Sequence, residues 1–438
     1  MRLNSTLIAH AEAALAALLK FSSPADAVLS RYFRAHSALG QNDRAFIAET
    51  CYAALRHLRS LRARIEEAGK AQKQEPERKQ KPEPETRRLL LAALFCHRGW
   101  NLAQLEPLLR SGDSEWLRAA RMLDTASWPA AQRCDFPDWL YEELVPTHGD
   151  DLETLAASLN RPAPLDLRVN PLKISREEAL QQLEAAGIKA AASPCSPLGI
   201  RVAGKPALNR QPLFLEGAIE VQDEGSQLLG FLVAPKRGEM VADFCAGAGG
   251  KTLLLGALMR SQGRLYAFDV DQKRLERLKP RLARSGLSNV YPVLLGSERD
   301  DRVRRLAGKF DRVLVDAPCS GFGTLRRNPD LKWRQGAGDV AELAQKQTAI
   351  LEAAARLLKP GGRLVYATCS LLAAENEAVT MAFLAAHPEF SVLPAEEILR
   401  GREISLPGSI PQNADGFLRL FPHVHGTDGF FAAVMEKR

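Results

Sequence analysis

The sequence contains no apolar run approaching the roughly 20 residues that a membrane-spanning helix needs, so no membrane partner is expected. It has no CxxC pair either. Its seven cysteines (Cys51, Cys96, Cys134, Cys195, Cys245, Cys319 and Cys369) are widely scattered and odd in number. That argues against a disulfide framework and a structural zinc site, so no metal is expected and a reducing cytoplasm is the natural setting. The start, MRLNSTLIAHAEAALAALLKF, lacks the features of a signal peptide: His10 and Glu12 interrupt the apolar run and no small-residue cleavage site follows. It reads instead as an amphipathic helix capped near Asn4 to Thr6. The stretch 69–88, GKAQKQEPERKQKPEPETRR, has no large apolar residue and cannot bury a face. It reads as a flexible linker or loop.

What remains is a chain of 438 residues, long enough for two or three domains, with 46% hydrophobic and 25% charged residues as in soluble globular proteins. Net charge of +7 modestly favours a polyanionic partner. Residues 1–145 carry helical periodicity and predict an all-helical domain split by the charged stretch. The segment from Asp43 to Glu67 has an arginine-rich face (Arg44, Arg56, Arg59, Arg62, Arg64) that reads equally as a solvated surface or an RNA-facing one.

Residues 150–225 follow a β-α-β-β order. Here SREEALQQLEAAG is a helix with Ser175 as N-cap and Glu178 three residues on. The pattern predicts a small α+β module of the ferredoxin or RNA-recognition type, without the aromatic signature for stacking bases. From residue 226 to 438 strands and helices alternate. Strands are predicted at Met240–Phe244, Arg264–Phe268, Tyr291–Leu295, Arg312–Val315 and Arg363–Ala367, with a final strand pair near the C-terminus. The fold class is therefore α/β, a doubly wound, Rossmann-like parallel sheet.

Two strands of that sheet end on cysteines, Cys319 in VDAPCSGFG and Cys369 in VYATCS. Ligands of open α/β sheets sit outside the carboxyl ends of the strands, so both thiols can share one crevice. A glycine-rich turn, DFCAGAGGKT, stands between another strand and its helix. It fails the P-loop pattern at Cys245 and the dinucleotide pattern at Thr252. What is left, Asp243, Gly247 and Gly249, suits a methyltransferase turn that approaches S-adenosylmethionine. Asp269 ends the next strand, where such folds bind ribose hydroxyls, and Asp271 reads as a helix cap.

Thiol chemistry then points to a reaction. Carbon 5 of cytosine is a poor nucleophile until a thiolate adds at carbon 6, and a base must afterwards remove the carbon-5 hydrogen. Two cysteines and a nearby acid, Asp316, meet that need; the residues alone leave open which cysteine attacks. Beyond Cys319, Arg326, Arg327, Lys332 and Arg334 flank Trp333 and read as a phosphate-contacting loop.

These motifs resemble the Sun (Fmu) family of RNA cytosine-5 methyltransferases, whose bacterial type member modifies 16S ribosomal RNA. The resemblance runs through LRVNPLK, VQDEGSQLL, DFCAGAGGKT, VDAPCSGFGTLRRNPDLKW, LKPGGRLVYATCS, ENE at 375–377 and GFLRLFPHVHGTDGFFAAVMEK. LGQNDRAFIAETCYAALR is similar to the RNA-binding domain shared with the antiterminator NusB. The resemblance implies Cys369 as nucleophile, Cys319 in release, and Asp316 near both cofactor and base. It implies cofactor contacts from Cys245, Ala246, Gly247, Ala248, Gly249, Gly250, Lys251, Asp269 and Asp316. The family has an adenine-contacting aspartate near the place where Ser297 stands in LLGSER, and a serine where Gly225 stands. The expected partner is RNA, ribosomal RNA or a small-subunit assembly intermediate, with a monomeric protein. The alternatives are methylation of another RNA such as tRNA, or an RNA-binding assembly factor without methylation.

Overall fold

Asn4 caps the first helix, Ser5–Leu18, by accepting from the Leu7 N–H at 2.8 Å. The computed structural model describes residues 4–72, 85–408 and 415–438. They form two units, one of residues 1–161 with 325–337 and one of 162–324 with 338–438.

The first unit is helical among its described residues. Helices Ala25–Ala35, Gln41–Arg56, Leu58–Gln72, Glu85–Ala92 and Asp113–Met122 follow the first one, then Asp138–His148 and Leu152–Leu159. Leu15, Ile47, Leu55, Leu61, Leu90 and Leu117 have no exposed surface, which is the helical periodicity converted into a core. The charged stretch is helical up to Gln72 and again from Glu85, and the part of the loop expectation at 73–84 lies outside the described residues. Along the arginine face Arg62 is exposed and Arg44, Arg59 and Arg64 are partly exposed, and their guanidinium groups are engaged within the helical unit. Arg59 pairs with Asp138 and Arg62 with Glu85, while Arg64 donates to the Ala120 carbonyl and Arg44 to those of Leu39 and Ser37. Arg56 is buried and donates to the Arg326 carbonyl at 2.9 Å.

Segment 325–337 corrects the basic-loop expectation. Lys332 is 1% exposed. Its Nζ donates to the Arg56 carbonyl at 2.8 Å and to Asn160 Oδ1 at 2.9 Å. Trp333 Nε1 donates to the Leu55 carbonyl, and the buried Asp330 accepts from the Ala25 N–H and from Arg334. Lys332 and Trp333 serve the interior of the helical unit, because carbonyls left over at helix ends need donors.

The second unit carries two sheets. The smaller one has β1 (Leu165–Val169), β2 (Ala190–Ala192), β3 (Gly199–Val202) and β4 (Ile219–Val221), in the order β2-β3-β1-β4. The helix Arg176–Ala185 between β1 and β2 begins with the expected capping box of Ser175 and Glu178. The larger sheet has β5 (Met240–Asp243), β6 (Arg264–Asp269), β7 (Val290–Leu294), β8 (Phe310–Asp316), β9 (Leu358–Thr368), β10 (Phe390–Leu393), β11 (Leu418–Leu420) and β12 (Phe430–Lys437). Its order is β10-β12-β9-β8-β5-β6-β7, with β11 beside β12. Strands β5 to β9 are parallel, and β12 and β10 are antiparallel additions at one side. The chain steps from β5 outward to β6 and β7, then returns to the other side of β5 with β8. That reversal is where open sheets bind ligands.

Candidate active site

Strands β8 and β9 are adjacent and parallel, with Asp316 opposite Ala367. Cys319 and Cys369 follow these strand ends, and their Sγ atoms are 3.3 Å apart. The loop after Cys319 is pinned to the other cysteine: Gly323 N–H donates to the Cys369 carbonyl at 2.9 Å, and the Gly323 carbonyl accepts from Gly429 N–H at 2.8 Å. A Cβ on Gly323 would lie 2.1 Å from the Gly429 oxygen, so only glycine allows this approach.

Both cysteines line a cleft of about 640 Å³. The glycine turn forms its opposite wall with Cys245, Ala246, Gly247, Ala248, Gly250 and Lys251, and Asp269 and Asp316 line it as well. Gly249 supports the turn from behind. It has φ +85°, and a Cβ there would fall 2.1 Å from Leu278 Cδ1. Asp269 shapes the turn by accepting from the N–H groups of Gly247 and Asp271, both at 2.7 Å. Asp271 caps the helix Gln272–Ser285, as its spacing predicts.

Ser297, the expected cofactor contact, is not among the residues lining the cleft. The turn after β7 folds onto Asp300, which accepts from Gly296 N–H, while the Ser297 hydroxyl accepts from Arg299 N–H. Glu298, one position on, lines the cleft with Leu295. An acid is thus present where the family pattern has one, displaced by one residue; the adjacent glutamate was its signal in the sequence. Sequence reasoning also missed Lys346 and Ile350, which reach the cleft from helix Ala337–Ala355, and Arg281, which donates to the Ala248 carbonyl and pairs with Glu220 on β4. None of these belongs to a recognisable short motif.

The second departure has a packing cause. A Cβ on Gly225 would lie 2.7 Å from the Phe430 ring, so glycine lets this β12 aromatic close over the helix Glu224–Val233. Lys251 Nζ stands 5.9 Å from the centroid of the same ring.

The electrostatics separate the acids and thiols. Lys251 Nζ bonds Asp316 Oδ2 at 2.6 Å. Burial alone would lower the Lys251 ammonium, but Asp316 and Cys369 outweigh it and hold its pKa above the usual value. Cys319 is pushed well up, first by its hydrogen bond to Cys369, then by burial and by the nearby charges of Cys369 and Glu375. Burial also raises Cys245, and it lifts Asp243 to about 7. Asp243 Oδ2 accepts from Thr252 at 2.7 Å, while its buried Oδ1 has no hydrogen-bond partner.

The family model described as 16S rRNA methyltransferase RsmB/F matches residues 230–436, and that of the RsmF/B-like ferredoxin-like domain matches 136–209. A protein of Synechocystis sp. named "Probable ribosomal RNA small subunit methyltransferase B" is 35% identical over 94% of this chain and 95% of its own length. One of the same name from Bacillus subtilis is 32% identical over 76% of this chain and 73% of its own. Among solved structures, a methyltransferase homolog protein from Pyrococcus horikoshii superposes with a TM-score of 0.60 at 32% identity, covering 70% of this chain and 97% of that one.

Proposed function

The chain belongs to the 16S rRNA methyltransferase RsmB/F family, and from that premise we propose that it methylates carbon 5 of a cytosine in small-subunit ribosomal RNA, with S-adenosylmethionine as methyl donor. The observation that carries this reading is the pair of thiols 3.3 Å apart on the wall of the glycine-turn cleft. Methylation at oxygen or at an exocyclic nitrogen gives no use for two such thiols. The cleft suits the cofactor: the cradle at Gly247 leaves open space where a side chain would stand, and Asp269 and Glu298 supply acceptors for hydroxyl and amino groups. When bound, S-adenosylmethionine supplies a sulfonium methyl group.

The protein's own part is to activate and release the base. The Cys369 thiolate adds to carbon 6, forming the S–C6 bond and making carbon 5 electron-rich. Asp316 faces the cleft and offers a carboxylate that accepts from the exocyclic amine. Lys251 keeps a positive charge beside Asp316 and Cys369. The electron-rich carbon 5 would then accept the methyl group that S-adenosylmethionine supplies when bound. Bonding Cys369 to carbon 6 consumes its charge, which removes the hydrogen bond and the charge that raise Cys319, while its burial remains. Cys319 can then pass its own proton to solvent water in the cleft and, as a thiolate, take the one on carbon 5. The freed electron pair restores the C5–C6 double bond and expels the Cys369 thiolate.

Cys369→Ala is expected to abolish methylation. Cys319→Ala is expected to accumulate a covalent protein–RNA adduct that survives denaturing electrophoresis. An adduct formed by the Cys369→Ala protein overturns the division of roles. Bisulfite sequencing of RNA from cells lacking the protein identifies the target, including a tRNA if that is the substrate. Against the reading as a binding factor without methylation stands Glu298, an acid that lines the cleft one position from Ser297.

A further inference from the structure

Glu375 lies behind the two cysteines and has no exposed surface. A buried carboxylate is tolerated only when its oxygens are fully partnered. Oε1 accepts from the Ser320 N–H at 2.8 Å and from Gln347 Nε2 at 2.9 Å. Oε2 accepts from the Ser320 hydroxyl at 2.5 Å and from the Ser370 hydroxyl. All four donors are neutral, so Glu375 is not half of an ion pair. Ser320 is the residue after Cys319 and Ser370 the residue after Cys369, and their hydroxyls are 3.1 Å apart. Gln347 also donates to the carbonyl of Pro318, the residue before Cys319. Tyr366 on β9 donates to the Glu375 carbonyl, fixing the backbone that carries the acid.

We propose that Glu375 is the positioning residue of the reaction: by tying Ser320 and Ser370 to one buried carboxylate, it sets the separation of the two catalytic thiols. The proposal rests on the two-cysteine reading above. Sheet pairing of β8 and β9 stops at Asp316 and Ala367, before either cysteine. Beyond that point the two loops are joined by Gly323 to the Cys369 carbonyl and by Glu375 to both serines. Gly323 fixes one backbone distance, and Glu375 reaches the residue next to each thiol, beside the direct contact of the two serine hydroxyls. Misplacing a reacting group by about 1 Å costs on the order of a hundredfold in rate. Glu375 also adds a negative charge near Cys319, which faces Cys369 and Tyr366 as well.

The test uses the full chain with S-adenosylmethionine and a small-subunit rRNA transcript containing 5-fluorocytidine. Fluorine at carbon 5 blocks release, so the adduct rate reports attack by Cys369 and methyl transfer without the release step. Glu375→Gln offers one oxygen where four donors converge, and the adduct rate is expected to fall at least about tenfold while cofactor affinity by calorimetry stays unchanged. Alkylation of Cys319 by iodoacetamide, followed by peptide mass spectrometry across pH, is expected to show a lower midpoint in Glu375→Gln. Glu375→Asp keeps the charge but shortens the reach, so it should retain the midpoint and lose the adduct rate. A wild-type adduct rate in Glu375→Gln overturns the proposal. If that variant does not fold, the Ser320→Ala, Ser370→Ala double variant takes its place, and an unchanged rate there overturns it equally. Absence of adduct in the wild type defeats the two-cysteine reading instead, and the alkylation midpoint then decides on Glu375 by itself.

Discussion

Lys332 offers a perturbation whose size follows from its surroundings. Burial lowers its ammonium to about 8, against an ordinary lysine near 10.4. The difference corresponds to about 3 kcal/mol at 1.36 kcal/mol per pKa unit. Below pH 8 lysine is charged in both folded and unfolded chains, and the folded protein bears the whole cost. Between pH 8 and about 10.5 the folded protein releases the proton first, so its stability rises with pH, by up to about 1.4 kcal/mol per unit. Lys332→Met keeps the stem between Phe136 and Trp333 but cannot titrate. At pH 7 the relief of the buried charge offsets the two hydrogen bonds lost at Arg56 and Asn160, each costing about 1–3 kcal/mol when its acceptor is left unpaired. Near pH 10.5 the wild type should therefore have gained about 3 kcal/mol on the variant. Urea unfolding followed by tryptophan fluorescence measures this selectively, because Trp100, Trp116, Trp128, Trp139 and Trp333 all belong to the helical unit. Taking the difference between the two proteins cancels the other groups that titrate in this range. Parallel stability curves for wild type and variant from pH 8 to 10.5 would refute the reasoning.

Asp243, raised to about 7 by burial, favours its neutral form on folding, so it penalises the folded protein increasingly as pH rises from about 4 to 7. Asp243→Asn should remove that slope, and calorimetric unfolding of the cofactor-free protein across this range reads it; identical slopes refute the assignment. Gly323→Ala must displace the loop that carries Cys319. Single-turnover methylation is expected to slow about a hundredfold with cofactor affinity intact, and a wild-type rate would show that the approach to Gly429 is not needed.

The strands that end on the two cysteines were readable because buried parallel strands are short apolar runs bounded by turn residues. The glycine turn and the cap at Asp271 were readable because backbone geometry restricts which residues fit. Strand β4, three residues long, left no such pattern. Lys332 misled because charge next to an aromatic suggests a surface, while its partner Arg56 lies 276 positions away in the chain. Glu298 rather than Ser297 lines the cleft because the turn after β7 is set by Asp300, whose role emerges only once the loop closes. Glu375 was visible in the ENE motif, but its function depends on two serines that only the parallel pairing of β8 and β9 brings together.

The placement of residues 325–337 within the helical unit also bears on how the protein is made. Translation proceeds from the N-terminus, so residues 1–161 emerge well before Lys332 and Trp333, which complete their interior. At about 5–20 residues per second, the remaining stretch of roughly 175 residues takes on the order of ten to thirty seconds to synthesise. During that interval the nascent helices lack the donors that satisfy the carbonyls of Leu55 and Arg56. Closure of the helical unit then waits until Cys319 has already been synthesised.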